Sequence, residues 1–301
     1  MRLFHNTNID FINKRKTFFL ISSITITLAI ILTIVIGPVM SIDFTGGTEI
    51  GVKFEKPIEA EQVRNAVDNA GIEGAEIKSF GTANAYLIRV KDSGEAASKI
   101  QDALTTSLAS NPHTILKVDK IGPKIGGEVT QDATIAVILS VISILIYVGF
   151  RFEFIYGLGA TVALIHDVII AFTFTVIFNK LGILNLEISQ STLAALLTVL
   201  GFSINDTVVI FDRIRENLQL HKGKSISEIF NLSINETLGR TINTSFTACI
   251  VLFIIVLFGG PVLQGFAFTM LVGFIVGVYS SVFIAGSFII WYSTKSKTKI
   301  A

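Results

Sequence analysis

Cys249 is the only cysteine in 301 residues, so no disulfide can close within the chain, and the redox compartment is left open. Charge is scarce as well. Asp, Glu, Lys and Arg make up 16% of the sequence, against about 25% in soluble domains. The net charge is +1 and there is no basic patch of the size that grips a phosphate backbone, which argues against a nucleic-acid partner. Zinc-ligand spacings, a P-loop, a G-x-S-x-G elbow and a dinucleotide fingerprint are all missing, and the four histidines are scattered. No cofactor, metal or enzymatic activity is therefore expected. What the sequence has in quantity is apolar residues, 51% of the total, the composition of a membrane protein.

Residues 1–16 are polar and end in Lys14-Arg15-Lys16; residues 17–37 form an unbroken apolar run stopped by Gly37-Pro38. A secretory signal peptide would have an apolar core of about 7–15 residues and a small-residue cleavage site. The run is longer and shows no clear site, so it reads as a membrane anchor. Residues 38–130 then take on the composition of a soluble domain. Alternation and turn residues place strands at 49–55, 75–80, 86–91 and 114–121, with helices at 57–70 and 95–108. That order, βαββαβ, predicts a small α+β domain of ferredoxin-like type.

Five further apolar runs follow near 134–150, 154–178, 192–211, 242–258 and 266–291, giving six transmembrane helices in all. Six crossings leave both termini on one side. Lys14–Lys16, Arg151, Arg213, Arg215, Lys222, Lys224 and the tail lysines 295, 297 and 299 mark that side as cytoplasmic. The α+β domain is then extracytoplasmic, 131–291 holds a five-helix transmembrane domain, and 292–301 is a cytoplasmic tail. Between the fourth and fifth spans, segment 212–240 carries Ile226, Ile229, Phe230, Ile234 and Leu238 at near-helical spacing. It reads as an amphipathic helix on the cytoplasmic face, with a plain linker as the alternative.

The fourth span contains Asp206. A carboxylate inside an apolar segment costs about 2.5–3.5 kcal/mol on insertion scales. Ser203, Asp206 and Thr207 share one helical face with Asn205 at its edge, so this face should point into protein or water. Arg240 opens the fifth span at similar depth, where it can either pair with Asp206 or snorkel to the interface. His166 and Asp167 lie mid-way along the third span; being adjacent on a helix, they point about 100° apart and serve either structure or a relay. On the last span Gly265, Thr269, Gly273, Gly277, Ser281 and Ala285 recur at every fourth residue without a break. Such a stripe of small residues lets another backbone approach, from this chain or from a second subunit. Asp43 with Thr45, Gly46, Gly47 and Thr48 forms either a hinge or a simple turn at the entrance to the α+β domain.

Several segments together resemble a known family. They are Ile42-Asp43-Phe44-Thr45-Gly46-Gly47-Thr48, Arg151-Phe152-Glu153 and Ala163-Leu164-Ile165-His166-Asp167-Val168. Most specific is Gly201-Phe202-Ser203-Ile204-Asn205-Asp206-Thr207-Val208-Val209 running into Asp212-Arg213-Ile214-Arg215-Glu216-Asn217. Gly239-Arg240-Thr241 and Phe258-Gly259-Gly260-Pro261 complete the set. In this order, and over nearly the whole length, the chain resembles the SecF members of the SecD/SecF family in the RND superfamily. The resemblance implies an RND-type half with one extracytoplasmic domain, in the bacterial cytoplasmic (inner) membrane. It further implies a pseudo-symmetric complex with SecD, working beside the SecYEG channel, with YajC as a further candidate partner and a translocating preprotein as cargo. It implies a proton path through Asp206 and Arg240. The position of Phe202 often holds tyrosine in that family, so a local hydroxyl is lost here. Other expectations for such a fold are a half-transporter for small molecules or lipids and a scaffold without transport.

Overall fold

In the computed structural model, residues 7–72, 74–91 and 94–296 are described. The outer parts of both expected cytoplasmic termini, residues 1–6 and 297–301 with Lys297 and Lys299, lie outside them. The chain divides into two compact units, residues 39–135 with 187–190, and the remaining residues.

After the first apolar helix, α1 (Arg15–Ile36), the smaller unit opens with the short helix α2 (Ile42–Thr45), capped by the Ser41 hydroxyl, which accepts from the Asp43 amide at 3.2 Å. Then come β1 (Gly47–Phe54), α3 (Ala60–Asp68), β2 (Glu76–Phe80), β3 (Thr82–Val90), α4 (Ala96–Ser107) and β4 (His113–Ile121). The sheet order is β2-β3-β1-β4 with every pair antiparallel, as a split βαβ arrangement requires. Alternation in β1 sends Ile50, Val52 and Phe54 to one face, where they bury against Val63 and Val67 of α3 and Ile100 and Leu104 of α4. Spacings of three and four residues in both helices supply that apolar stripe. The four-residue loop expected at 81–84 is tighter than its turn residues suggest, because β3 already begins at Thr82.

The larger unit holds the other helices that are long and apolar enough to cross a membrane. They are α5 (Pro123–Arg151), which begins in the smaller unit, α6 (Phe154–Lys180), α7 (Gln190–Leu220), α8 (Ile226–Phe258) and α9 (Gly260–Ser280). The last continues through a π-helical turn, Ser281–Ala285, into α10 (Gly286–Ser296). Half of the apolar window of α6 is buried, against 6% for α5, so α6, α7 and α9 form the centre and α1 and α5 the periphery.

One expectation needs correction. Segment 212–240 is not a separate surface helix: its first part ends α7 and the rest is continuous with the fifth span as α8. The break falls at residues 221–225, where Ser225 and Glu228 cap α8 reciprocally (Ser225 N–H to Glu228 Oε2, 2.7 Å; Glu228 N–H to Ser225 Oγ, 3.3 Å). Phe230, Ile234 and Leu238 have the predicted helical spacing, but they bury against Phe211 and Ile214 of α7 and against Phe11 and Ile12. The N-terminal strand of chain is strapped there by two asparagines one turn apart. Asn231 accepts from the Phe11 amide at 2.8 Å and Asn235 from the Ile9 amide at 2.8 Å, while both donate to the Ile9 carbonyl.

Candidate functional site

Two apolar clusters occupy the two ends of the membrane unit. Along α7, Ala195 and Val199 belong to one, and Ile210, Phe211 and Ile214 to the other; Ser203, Asp206 and Thr207 lie between. The same interruption recurs on the neighbouring helices. His166 and Asp167 interrupt α6, Thr241 and Ser245 interrupt α8, and Ser280 and Ser281 follow Gly277 at the end of α9. All these side chains except Gly277 are polar and buried. The result is a polar layer across four helices, closed above and below by apolar packing. Burying polar groups of this kind is costly unless they are hydrogen-bonded, and most of these are.

Asp167 is the most completely held group in the layer. Its Oδ2 accepts from the Ser203 hydroxyl at 2.6 Å and from the Ser280 hydroxyl at 2.7 Å, and its Oδ1 lies 3.0 Å from His166 Nδ1. The His166 ring stacks on Tyr279 with centroids 5.9 Å apart, and Tyr279 Oη lies 2.8 Å from Ser22 Oγ on α1. Asp167 thus ties α6 to α7 and α9. Two small residues permit the approach. A methyl group at Gly277 would sit 3.3 Å from Ser203 Cβ, and one at Gly273 would overlap Val199. The stripe continues with Thr269, 3.0 Å from Thr175 on α6, and with Ser281, 2.8 Å from Thr207. Ala285 is fully buried and Gly265 half-buried. The stripe therefore packs against α6 and α7 of the same chain.

Replacing Asp167 with alanine removes the acceptor of the Ser203 hydroxyl, leaves Ser280 with the Gly277 carbonyl alone and takes away the partner of His166 Nδ1. At about 1–3 kcal/mol for each unsatisfied group, detergent-purified protein should melt several degrees lower, with Asp167→Asn closer to wild type because its carbonyl still accepts. Unchanged melting of the alanine variant would show that the network contributes nothing.

Asp206 is held differently. It is buried, 5% exposed, and accepts from Ser245 of α8 at 3.1 Å. Among the described residues no ion pair joins it to Arg240, which is exposed and stands five residues before Ser245, about 7.5 Å along the helix axis. Asn205 also faces outward. Ser245 and Ser280 escaped the sequence reading because hydroxyls are commonplace in membrane helices. The available signal was that Ser245 falls one turn after Thr241 and Ser280 directly beside the small-residue stripe. Phe202 stacks on Phe274 at 3.7 Å, so an aromatic role at that position persists without a hydroxyl.

At the entrance to the smaller unit, Gly46 and Gly47 have φ of +70° and +128°, a region side chains rarely adopt. A methyl group on Gly46 would come within 2.7 Å of Pro123 Cα. Thr48 is fully buried in β1, the Thr45 hydroxyl donates to the Ser41 carbonyl at 3.1 Å, and Asp43 Oδ2 accepts from the Gln190 amide at 3.0 Å. On the sheet face away from the helices, Arg89 bonds both Glu49 (2.6 Å) and Glu187, and Lys117 reaches Glu49 at 2.6 Å. Burial pushes the Glu49 carboxyl up, but the bonds from Lys117 and Arg89 outweigh that and leave it below the usual carboxylate range.

Six spanning helices enclosing a polar layer, with a small ferredoxin-like domain inserted after the first, define a multi-pass α-helical membrane protein of the RND-type half architecture. Known proteins narrow this further. The family described as protein export membrane protein SecD/SecF, C-terminal, matches residues 100–295, and the SecD/SecF GG motif matches residues 31–58. The protein translocase subunit SecF of Calditerrivibrio nitroreducens is 38% identical over 98% of this chain and 97% of its own length. That of Pseudomonas aeruginosa is 36% identical over 97% of this chain and 94% of its own. Among solved structures, SecDF of Thermus thermophilus, a translocon-associated membrane protein, superposes with a TM-score of 0.85 at 32% identity. That match covers 96% of this chain but 39% of the SecDF chain. The chain belongs to the SecD/SecF family, among its SecF members.

Proposed function

We propose that the chain is a SecF-type auxiliary subunit of the Sec export machinery that uses the proton gradient to help draw preproteins across the bacterial cytoplasmic membrane at a late stage of export. The observation that carries the reading is the unequal treatment of two buried acids in one polar layer. Asp167 is fixed by two hydroxyls and an imidazole, whereas Asp206 has Ser245 as its direct hydrogen-bond donor. A carboxyl group so lightly held can exchange a proton with little rearrangement, and its neutral form is the one an apolar setting favours. Arg240 stands five residues before Ser245 on the same helix and would favour the charged form if a movement of α8 brought it to Asp206.

In this reading Asp206 alternates between the Ser245 hydroxyl, protonated, and the Arg240 guanidinium, ionised. Ser203 and Thr207 flank it on the same face, Asn205 stands at the outer edge, and the His166–Asp167 pair holds the helices in register. One charge crossing about 100 mV yields about 2.3 kcal/mol, enough to bias a two-state motion. The α+β domain lies outside the cell and both termini lie in the cytoplasm, as the basic loops favour. SecD supplies the other half of the membrane domain, in keeping with the SecDF chain of which this one spans about two fifths. The SecYEG channel and YajC are the further partners, and the cargo is a preprotein. The chain has no catalytic role. Asp43 and the closely packed Gly46-Gly47 pair act as a pinned turn rather than a free hinge.

Co-expression with the SecD encoded by the same organism should restore export in cells lacking both subunits. Failure of the pair to do so, with both proteins in the membrane, would refute the assignment.

A further inference from the structure

The start of α1 lies beside the π-helical turn, where Phe18 packs on Phe283 with ring centroids 3.9 Å apart, and α10 continues from that turn. Between α1 and α10 runs an open groove of about 650 Å³ in the membrane unit. Its rim carries Arg15, Lys16 and Lys295, and no acidic residue lines it. Its wall is made of Phe19, Leu20 and Trp291, with Ser23 and the buried Ser287 towards the base. From Lys16 to Ser23 the groove descends seven residues, about 10 Å of helix. Charge is thus gathered at one end and apolar surface at the other.

That polarity matches an amphiphile better than a soluble anion. Three cations without a counter-charge in the lining suit a phosphate diester, while Leu20 and Trp291, both more than half exposed, offer acyl chains an apolar flank. Trp291 has the indole expected at a membrane interface, and the Lys295 ammonium lies 5.2 Å from its ring, which directs that charge over the groove. A protein ligand would need to reach below the interface, where lipid already is. We infer that this groove binds an anionic phospholipid, its phosphate at Arg15, Lys16 and Lys295 and an acyl chain along Phe19, Leu20 and Trp291.

The test is native mass spectrometry of the full chain in detergent, titrated with phosphatidylglycerol or phosphatidylcholine of the same acyl chains. Each basic residue near a lipid phosphate is worth about fivefold in binding, so wild-type protein should prefer phosphatidylglycerol by about tenfold or more. The triple variant Arg15→Gln, Lys16→Gln, Lys295→Gln should bind the two lipids about equally. Arg15→Lys with Lys295→Arg should keep the preference, which separates charge loss from misfolding. Equal binding by wild type, or a preference that survives triple neutralisation, overturns the inference. Displacement of phosphatidylglycerol by millimolar inorganic phosphate would likewise overturn it, because the groove would then be a site for free anions.

Discussion

Asp206→Asn should reduce proton-gradient-driven preprotein movement to the level seen without the chain, while leaving the protein folded and in the membrane. Asparagine keeps the shape and still accepts from Ser245, so the packing of α7 on α8 survives. What it cannot do is ionise. The proton cycle therefore stops with Asp206 held in its neutral form, and up to about 2.3 kcal/mol per charge per 100 mV is withdrawn. The rate lost in sealed vesicles carrying an imposed proton gradient equivalent to about 100 mV should be at most about fiftyfold, since each 1.4 kcal/mol is a factor of ten. Without a gradient, wild type and variant should move preprotein equally. A variant that responds fully to the gradient would return Asp206 to a structural role.

Arg89→Met should destabilise the α+β domain more than any other single change proposed here. The Arg89 side chain is 11% exposed and lies between Glu49 and Glu187, which are 8% and 10% exposed. Removing it leaves Glu49 to Lys117 (2.6 Å) and Glu187 to Lys78 (2.8 Å), so what is lost is Arg89's own charge-assisted bonds, about 1.5–3 kcal/mol. The effect should also be local. Glu187 lies in the segment 187–190 that joins the domain, where Ser41 and Ile188 exchange backbone bonds with the chain leaving α1 (Ser41 N–H to the Ile188 carbonyl, 2.9 Å; Ile188 N–H to the Val39 carbonyl, 2.9 Å). Hydrogen exchange at residues 187–190 should therefore accelerate in the variant before the sheet core does. Acid should act in the same sense. Because the folded-state pKa of Glu49 lies below its unfolded value, its contribution is complete above the unfolded pKa near about 4.3 and is lost as pH falls through the folded one. Unchanged exchange at 187–190 would show that the pair contributes little.

Much of this was legible in the residues. The βαββαβ order and the six spans follow from period and length, and the inward-facing position of Asp206 from the cost of a carboxylate in apolar sequence. Features made by hydroxyls were not legible. Ser245 and Ser280 are unremarkable one at a time and acquire a role only where α7, α8 and α9 converge on two acids. Glu187 was overlooked because one acid in a short loop has no periodicity to mark it. The amphipathic stretch before Arg240 was read correctly in its spacing and wrongly as a separate element. Nothing in a periodic pattern marks where one helix stops when the next apolar run continues in phase; the Ser225–Glu228 cap was the signal to weigh. Arg240 and Asp206 sit in the order the pattern suggested, yet the acid's direct partner is one and a half turns further along α8.

Proton passage through this layer should accompany preprotein movement. Its most direct measurement is proton flux in sealed vesicles containing the channel, SecD and this chain, followed with a trapped pH-sensitive dye. The flux should appear only with a moving preprotein, persist in Asn205→Ala, and disappear in Asp206→Asn and in Arg240→Met. A flux of wild-type size through the Asp206→Asn protein would contradict it.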